Sequence, residues 1–333
     1  MKTILILGDE VRDESIQMVT KHLQNTGAPF SVLDTKRFPA EVDLTVLLDN
    51  ERVEGVIRFR NESISIKDIG AVWNRRICQP LINPAISNSD LASWTQQECY
   101  YVMESFLTLL PQHLWMNPVL PEEKVRYNKL FQMETAKRIG LKVPASIVSN
   151  SPEDAMRFCG TEKDVIVKAL RTGFFGGAEG SQAILYTSPV PEETASRDIE
   201  KVRYCPVFFQ ENVEKDVDVR ITVIGTNVFA CAINSQLDKS TLVDWRKQMF
   251  LKEFLPHMPH VLPDEVVTKV TLLVQQLGLR FGAVDMALTK DGEYVFFEIN
   301  HNGQWGWIEI LTGLPIAKAI ADHLIQLAGD EQA

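Results

Sequence analysis

The alternation of apolar and polar positions divides the chain into short strands separated by amphipathic helices. The apolar run TILILG at 3–8 predicts a buried strand, and Ile16, Val19 and Leu23 then recur at helical spacing before Gly27. The segment PFSVLDT at 29–35 predicts a second strand. A strand, a helix and a strand in this order indicate an open, largely parallel sheet.

The rest of the chain continues this mixture of strands and helices. The segments VDLTVLL and EGVIRF alternate as a hairpin would, and a long helix is expected from about Asp90 to Leu110. A break at Pro121 precedes EEKVRYNKLFQMETAKRIG, which predicts one helix ending at Gly140. The last helix is expected over 315–327. Between these helices, strands are predicted at DVIVKAL, VFFQENV, DVRITVIG, VFACAI, FGAVDMAL and EYVFFEI.

Composition narrows the class of protein. A chain of 333 residues, 45% hydrophobic and 23% charged, predicts two or three globular domains. No apolar run reaches the roughly 18 residues of a membrane span, and the start MKTILILGDE has no signal-peptide pattern, so we expect a cytoplasmic protein without a membrane partner. The net charge of −10 argues against nucleic acid as a partner. The five cysteines have no metal-site spacing and are expected to be reduced.

Lys168 is the first candidate for chemistry. It lies in VIVKAL, a run typical of a buried strand, where an ammonium group without an anion would cost several kcal/mol, ~2–7 for a buried polar group and more for a charge. Just after it, the loop TGFFGGAEG supplies backbone N–H groups that would fold over phosphates, although such glycine clusters are equally often plain turns. Its glycines are Gly173, Gly176, Gly177 and Gly180. The loop is neither a P-loop nor a dinucleotide-binding motif.

Two further blocks carry polar residues on predicted strands. Gln210 and Glu211 end an apolar strand, and Asp218-x-Arg220 follows an acidic spacer. These residues would supply acceptors for adenine and ribose and a guanidinium for a phosphate or carboxylate, or they form an ordinary charged turn between strands.

The last block is a set of oxygen donors. Glu298 and Asn300 are two residues apart on a predicted strand, so their side chains leave the same face. Asp285 lies on the neighbouring apolar strand. One or two carboxylates with an amide oxygen suit Mg²⁺ in the presence of phosphate. A lone E-x-N is more often a solvated strand face, but the full order of Lys, Gly loop, Gln-Glu, Asp-x-Arg, Asp and Glu-x-Asn is a specific signal.

That ordered set resembles the ATP-grasp superfamily over nearly the whole chain. Within it, DTKRFP, VWNRR, DVRITVIG, DWR and NGQWGWIE resemble the graspetide synthetases, the peptide ligases that macrocyclise microviridin-type precursors. The resemblance implies an α/β ATP-grasp fold in three domains. These are a parallel-sheet preface domain over 1–115, a helix with the central lid domain over 116–215, and a metal-binding domain over 216–333. His301 departs from the family pattern, which has proline there.

The resemblance also implies roles for individual residues. Lys129 and Lys168 would bind nucleotide phosphates under a loop containing Gly176 and Gly177, and Arg220, Arg246 and Asn302 would act on the phosphates and the acyl phosphate. The adenine hinge would be Gln210, Glu211, Asn212 and Val213, with Asp218 on the ribose. Asp285, Glu298 and Asn300 would hold Mg²⁺.

The implied activity is an ATP-dependent and Mg²⁺-dependent ligase acting on a ribosomal precursor peptide with a leader and a core. It would activate Asp or Glu side chains as acyl phosphates and close lactones with Ser or Thr. Three alternatives stay open: lactam formation with Lys, an amino-acid ligase acting on a protein or small molecule, and a non-catalytic nucleotide-binding regulator. The resemblance suggests a homodimer. Glu192 and Glu193, on a predicted helix of the central domain, are candidates for binding the leader, or they form a solvated helix face.

Overall fold

The structure is a computed structural model that describes residues 1–162, 164–171, 174–176 and 182–329. The chain divides into two compact units. The first comprises Met1–Glu123, Gly278–Phe281 and Gln304–Ala333, and the second comprises Lys124–Leu277 and Gly282–Gly303. The chain therefore enters the second unit twice, and the C-terminal helix belongs to the first unit. The three-domain division drawn from the sequence stays a prediction.

The first unit contains two sheets and several helices. Its elements are β1 (Thr3–Leu7), α1 (Glu14–Thr26), β2 (Phe30–Leu33), β3 (Asp43–Leu48), β4 (Val53–Phe59), β5 (Glu62–Ser65), β6 (Ile69–Asn74), α2 (Ser89–Thr108), α8 (Gly306–Thr312) and α9 (Ile316–Gly329). β1 pairs in parallel with β2 and β6, and β3, β4 and β5 form an antiparallel sheet. The predicted parallel start and the predicted hairpin are both confirmed.

Local signals explain where the first helix begins and ends. The side chain of Asp13 accepts a hydrogen bond from the Ser15 N–H and caps the N-terminus of α1. Gly27 ends the helix with φ of 70°, a left-handed conformation that glycine adopts without strain. Asp13 also binds Arg75, whose Nε lies 3.1 Å from Oδ2, and Arg75 donates to Gln304 Oε1 at 2.5 Å. Arg75 of the VWNRR motif and Gln304 of the NGQW motif thus meet inside the first unit.

The helix predicted over 122–140 is wrong in one respect, because it is two helices. α3 (Val119–Val125) ends before Tyr127, whose φ of 55° interrupts the helical backbone. α4 (Lys129–Arg138) then begins, with the Asn128 side chain accepting from the Phe131 N–H as an N-cap. The break makes Lys129 the first residue of a helix.

The second unit contains the predicted strands of the C-terminal half. After α4 come β7 (Ser146–Ser149), α5 (Pro152–Thr161), β8 (Val165–Lys168), β9 (Phe174–Gly176), β10 (Gln182–Ile184), β11 (Ser188–Pro189), α6 (Glu192–Asp198), β12 (Val207–Glu211), β13 (Val217–Ile224), β14 (Asn227–Ile233), β15 (His257–Pro259), α7 (Asp264–Gln276), β16 (Phe281–Leu288) and β17 (Tyr294–Asn300). Of the helices that the structure describes, none has the length and apolar character of a membrane span.

These strands form two main sheets. β11, β8, β12 and β7 lie in that order, and each neighbouring pair is antiparallel. The second sheet has the order β15, β14, β13, β16 and β17. β9 and β10 form a separate antiparallel pair within the Gly-rich segment, whose Gly177 lies outside the described residues. β8 therefore brings Lys168, and β13, β16 and β17 bring the acidic motifs, into the second unit.

Candidate active site

The three predicted metal ligands lie together on β16 and β17. Asp285 is paired directly with Glu298 across the two strands, and Ala283 is paired with Asn300, so that Asp285, Glu298 and Asn300 share one face. The Asn300 side-chain amide donates to Asp285 Oδ2 at 3.2 Å. Two carboxylates directly opposite each other repel, so this face is stable only with cations beside it.

An irregularity in β17 adds an aromatic ring to the same region. Asp285 pairs with Glu298 but Met286 pairs with Phe296, which leaves Phe297 as an extra residue. Phe296 is completely buried. The Phe297 ring instead lies 4.5 Å from Lys168 Nζ and 5.8 Å from Lys215 Nζ, measured to the ring centroid. The bulge therefore places two consecutive residues, Phe297 and Glu298, among the lysines.

Arg220 neutralises Asp285 from the neighbouring strand β13. Its Nη1 donates to both oxygens of Asp285, at 2.7 and 2.6 Å. Burial raises the pKa of Asp285 and the charge of Glu298 acts in the same direction, while Arg220 opposes both. Gly303 packs against this pair, because a Cβ atom there would lie 2.8 Å from Arg220 Nη2 and would collide with Ala283. Only a glycine fits without displacing the guanidinium.

Lys129 neutralises Glu298 from the first turn of α4, where it forms an ion pair with Oε2. Burial acts to raise the pKa of Glu298, but Lys129, together with Lys168 and Arg246, outweighs burial and lowers the pKa to about 2. A lysine at a helix N-terminus is unfavourable with respect to the helix dipole, so the carboxylate fixes its place. The helix break at Tyr127 is what brings Lys129 to this position.

Lys168 lies beside this pair at the end of β8. Burial lowers its pKa from the usual value to about 8, and Lys129 and Lys215 act in the same direction against the attraction of Glu298. A partly buried ammonium with a depressed pKa is a group that an added anion would stabilise. The geometry therefore supports the predicted phosphate contact of Lys168.

Asp218 pairs with a lysine that the sequence reasoning did not single out. Lys215 Nζ donates to Asp218 Oδ1 at 2.9 Å, and both side chains are buried. Burial raises the pKa of Asp218 against the opposing charge of Lys215. The sequence does show a lysine three residues before Asp218. Because this lysine lies within the acidic spacer, it resembled part of a solvated turn.

Asp244 holds the side chain of Arg246 in place. The sequence reasoning did not single out Asp244 either. The Arg246 Nε and Nη2 donate to Asp244 Oδ1 and Oδ2 at 2.8 and 2.6 Å. Asp244 Oδ2 also accepts from the Thr187 backbone N–H at 3.0 Å. Burial acts to raise the pKa of Asp244, but these hydrogen bonds bring it below its usual value. The clamp leaves Arg246 about half exposed.

The predicted adenine hinge comprises the last two residues of β12 and the two residues after them. The Gln210 side chain donates through Nε2 to Ser146 Oγ at 3.0 Å, while its buried Oε1 has no hydrogen-bond partner within the described part of the chain. An unpaired buried acceptor is unusual and fits a ligand N–H donor such as the amino group of adenine. Glu211 Oε2 accepts from the Ala145 N–H at 3.1 Å, and the Asn212 backbone N–H donates to the backbone carbonyl of Asp164 at 2.9 Å. Val213 follows, partly buried.

Three other places in the second unit hold the remaining predicted residues that the structure describes. Gly176 ends β9, and Gly177 lies outside the described residues. Asn302 lies in the turn after β17, in which the Gly303 N–H donates to Asn300 O at 3.2 Å. Glu192 and Glu193 occupy the exposed first turn of α6.

The donor set favours a hard cation bound together with phosphate. In the part of the chain that the structure describes, no three His, Cys, Asp or Glu side chains form a metal cluster. The candidate site is instead two carboxylates and one amide, the kind of partial ligand set that Mg²⁺ completes with phosphate oxygens and water. Both carboxylates already have protein cations as partners.

Comparisons with known proteins show what this chain is similar to. Residues 3–123 match the family model of the MvdD pre-ATP grasp domain. The macrocyclase MdnC from Microcystis aeruginosa MRC, solved with precursor peptide MdnA, is 29% identical with a TM-score of 0.84, and the match covers 97% of this chain and 99% of that chain. None of the curated proteins matches.

Two further solved structures share the fold. A RiPP-associated ATP-grasp ligase from Chryseobacterium gregarium, in complex with ADP and a leader and core peptide, is 27% identical over 98% of this chain and 97% of that chain, with a TM-score of 0.88. The ATP-grasp ligase PsnB, complexed with a minimal precursor variant, Mg and ADP, is 24% identical over 98% of both chains, with a TM-score of 0.77. The predicted ATP-grasp fold and the resemblance to peptide-modifying ligases are confirmed.

Proposed function

We propose that this chain, an ATP-grasp ligase related to the macrocyclases of ribosomal peptides, activates Asp or Glu side chains of a precursor peptide and closes lactones with Ser or Thr hydroxyls. The observation that carries the proposal is the charged face of β16 and β17, where Asp285, Glu298 and Asn300 lie among Lys129 and the other cations. The Gln210 acceptor adds a candidate contact for adenine. The peptide substrate is proposed from the precursor-bound relatives.

Nucleotide binding on this face would change the ion pairs that its side chains form. Mg²⁺, held by Asp285, Glu298 and Asn300, would screen the phosphate charge. Lys129 would then turn from Glu298 to the phosphate oxygens, and Lys168, whose pKa is lowered by burial, would gain a second anion beside it. Each charge keeps a partner of opposite sign throughout, which avoids the roughly 3–5 kcal/mol cost of an isolated buried ion.

The chemistry has two displacements. A carboxylate oxygen of the peptide attacks the γ-phosphorus of ATP, and ADP leaves, which forms an acyl phosphate. The hydroxyl oxygen then attacks the acyl carbon, loses its proton, and inorganic phosphate leaves. In this proposal Arg220, Arg246 and Asn302 would orient the phosphate and carboxylate groups, with Arg246 held by Asp244. Holding both peptide side chains in one site supplies the proximity that favours ring closure over hydrolysis.

The experiment incubates the protein with ATP, Mg²⁺ and the short peptide encoded beside its gene. We expect the loss of one water per ring formed, read by mass spectrometry, with ADP released in proportion. Mild alkaline hydrolysis restores the mass of an ester but leaves an amide intact, so it separates lactone from lactam closure. No ATP-dependent mass change with any such peptide would refute the function, and a mass gain from a free amino acid would identify an amino-acid ligase instead.

We also propose Glu192 and Glu193 as a docking point for the leader. Asp198 and Glu200 on the same stretch are already bound by Arg197, Lys201 and Arg203, whereas Glu192 and Glu193 lie exposed in the first turn of α6. A basic leader residue would pair with them. Changing both residues to Lys should weaken leader binding strongly without changing ATP affinity. If leader affinity stays unchanged and does not depend on salt, Glu192 and Glu193 are a solvated helix face and do not bind the leader.

We propose that the chain forms a homodimer and that α2 is its interface. Leu91, Trp94 and Tyr101 are exposed on this helix and, with Glu98, follow the spacing of three and four residues that forms a seam between helices. A two-fold axis brings the same face of a second copy against it. Trp94→Glu should convert a dimer to a monomer in light scattering, and an unchanged mass would exclude this face.

The cytoplasm is the proposed location. All five cysteines are free thiols, as expected in a reducing compartment. ATP and newly made peptides are both available there.

A further inference from the structure

A group of exposed apolar side chains lies beside Arg246 and has no role in the function proposed above. Phe250 is 71% exposed and Met249 is 59% exposed. Tyr186 packs edge-to-face on Phe250, with ring centroids 5.9 Å apart, and its hydroxyl lies 2.9 Å from the Met249 sulfur. We call Tyr186, Met249 and Phe250 the Tyr186 platform. Ordered aromatic and thioether groups on a surface are typical of a binding site.

The platform is held in a fixed position relative to Arg246. Asp244 binds the Arg246 guanidinium through both oxygens, and its Oδ2 also accepts the Thr187 backbone N–H. The 3₁₀ helix Trp245–Phe250 carries Met249 and Phe250, and Asp244 caps its N-terminus. This one carboxylate therefore connects the helix to Thr187, the residue next to Tyr186. Because Asp244 is buried, water does not compete strongly for these bonds. A ligand that contacts the platform would contact Arg246 in a constant geometry.

The charges around the platform identify the chemistry of its occupant. The Arg246 guanidinium lies 6.0 Å and the Lys247 ammonium 5.8 Å from the centroid of the Tyr186 ring. An apolar surface bordered by two cations complements a carboxylate with an apolar side chain next to it. An acidic peptide in an extended conformation presents such a pair.

We propose that the Tyr186 platform binds an apolar or aromatic side chain of the substrate peptide that neighbours the Asp or Glu received by Arg246. This deepens the proposed function and rests on it. The platform then selects which carboxylate of the core is activated, because a carboxylate without an apolar neighbour gains only the contact to Arg246. Binding energy from this neighbour orients the reacting group, as remote contacts do in other enzymes.

The test compares two phenylalanines of equal exposure in one segment. Phe250→Ser removes one aromatic ring of the platform, and Phe254→Ser changes a side chain that is 72% exposed four residues further on. Affinity for a fluorescent core peptide is measured by anisotropy without nucleotide, and ATP affinity by calorimetry without peptide. We expect Phe250→Ser to raise the peptide dissociation constant roughly tenfold, the scale of one lost aromatic contact. Phe254→Ser should leave it unchanged, and neither should alter ATP binding.

A second arm changes the peptide instead of the enzyme. Replacing the apolar neighbour of the reactive Asp or Glu by Gly should weaken binding to the wild type by the same factor but leave binding to Phe250→Ser unchanged, since both changes remove one contact. Three results would overturn the platform. Phe250→Ser and Phe254→Ser could change peptide affinity equally, neither could change it, or the enzyme and peptide changes could have additive effects.

Two further outcomes separate the platform from the proposed function. A wild type that closes rings on the peptide while Phe250→Ser binds and reacts normally would overturn the platform and leave the function standing. A change of mass in solution on Phe250→Ser, with peptide affinity unaltered, would assign the surface to a second copy of the chain and also overturn the proposal.

Discussion

Two regions of the second unit differ in whether their side chains already have partners. These regions are the charged face of β16 and β17 and the Tyr186 platform. On the charged face, Arg220 binds Asp285 and Lys129 binds Glu298, so the charges have partners before any ligand arrives. On the platform, Phe250 and Met249 remain largely exposed to water. A ligand of the charged face must therefore replace existing partners, whereas a ligand of the platform adds contacts where water was.

This difference predicts separate sensitivities. Exchange of ion partners depends on complementary charge and fails when one charge is lost. Burial of apolar surface depends on area and is indifferent to pH. Changes to the charged face should therefore alter nucleotide binding and turnover without altering affinity for the core peptide, and changes to the platform should do the reverse.

The largest expected effect follows from removing one carboxylate of the charged face. Glu298→Gln keeps the shape of the side chain but removes the charge that Mg²⁺ and Lys129 balance. We expect ATP consumption to fall by at least about a hundredfold, the scale of losing one electrostatic contact in an active site. Asp285→Asn should behave alike. Circular dichroism should show a retained fold, and core-peptide affinity should stay at the wild-type value. Near-normal turnover in either variant would contradict the metal-site assignment.

A smaller effect is expected when the phosphate cation is removed. Lys168→Met should raise the ATP dissociation constant by roughly 10- to 150-fold, corresponding to about 1.5–3 kcal/mol for a hydrogen bond to a charged group. Lys247→Met is the matched control, because Lys247 borders the platform. Calorimetry should show weaker ATP binding in Lys168→Met than in Lys247→Met. Anisotropy with the core peptide should show weaker peptide binding in Lys247→Met than in Lys168→Met. Equal ATP affinities in both variants would remove Lys168 from the nucleotide site.

The smallest effect is a pH dependence of ATP binding. Burial lowers the pKa of Lys168 to about 8, so the side chain is protonated below that pH and loses its charge above it. Bound phosphate favours the protonated form, so ATP affinity should fall as the pH rises above about 8, by at most about tenfold per pH unit for one proton. Titrations in buffers of different ionisation enthalpy should show proton uptake near pH 8. The same uptake in Lys168→Met would assign it to another group.

The sequence predicted the charged face well because its signals are periodic. Glu298 and Asn300 are two residues apart on a strand, and the pairing of β16 with β17 then places Asp285 opposite Glu298. The strands of the second unit and the parallel start of the first were predictable for the same reason. Lys168 stood out because a lysine in an apolar run is unusual.

The partners of these residues were not predictable from local pattern. Lys215 and Asp244 lie in polar segments that resemble solvated turns, and only the folded chain shows that both side chains are buried. The break before Lys129 depends on the positive φ of Tyr127, a residue with no intrinsic preference for it. The packing of α9 in the first unit depends on contacts between distant parts of the chain, which no local pattern carries.

The extra residue in β17 has a consequence for how this segment tolerates insertions and deletions. Phe297 resets the alternation of the strand, so that Phe296 faces the interior and Glu298 faces the lysines. Deleting Phe297 would leave Phe296 opposite Met286 and Glu298 opposite Asp285, so a regular ladder would form with both faces of the strand unchanged. The loss would be the ring beside Lys168 and Lys215. Inserting one residue elsewhere in the strand would instead reverse the two faces beyond the insertion. Related chains should therefore keep the length of the strand on either side of this position.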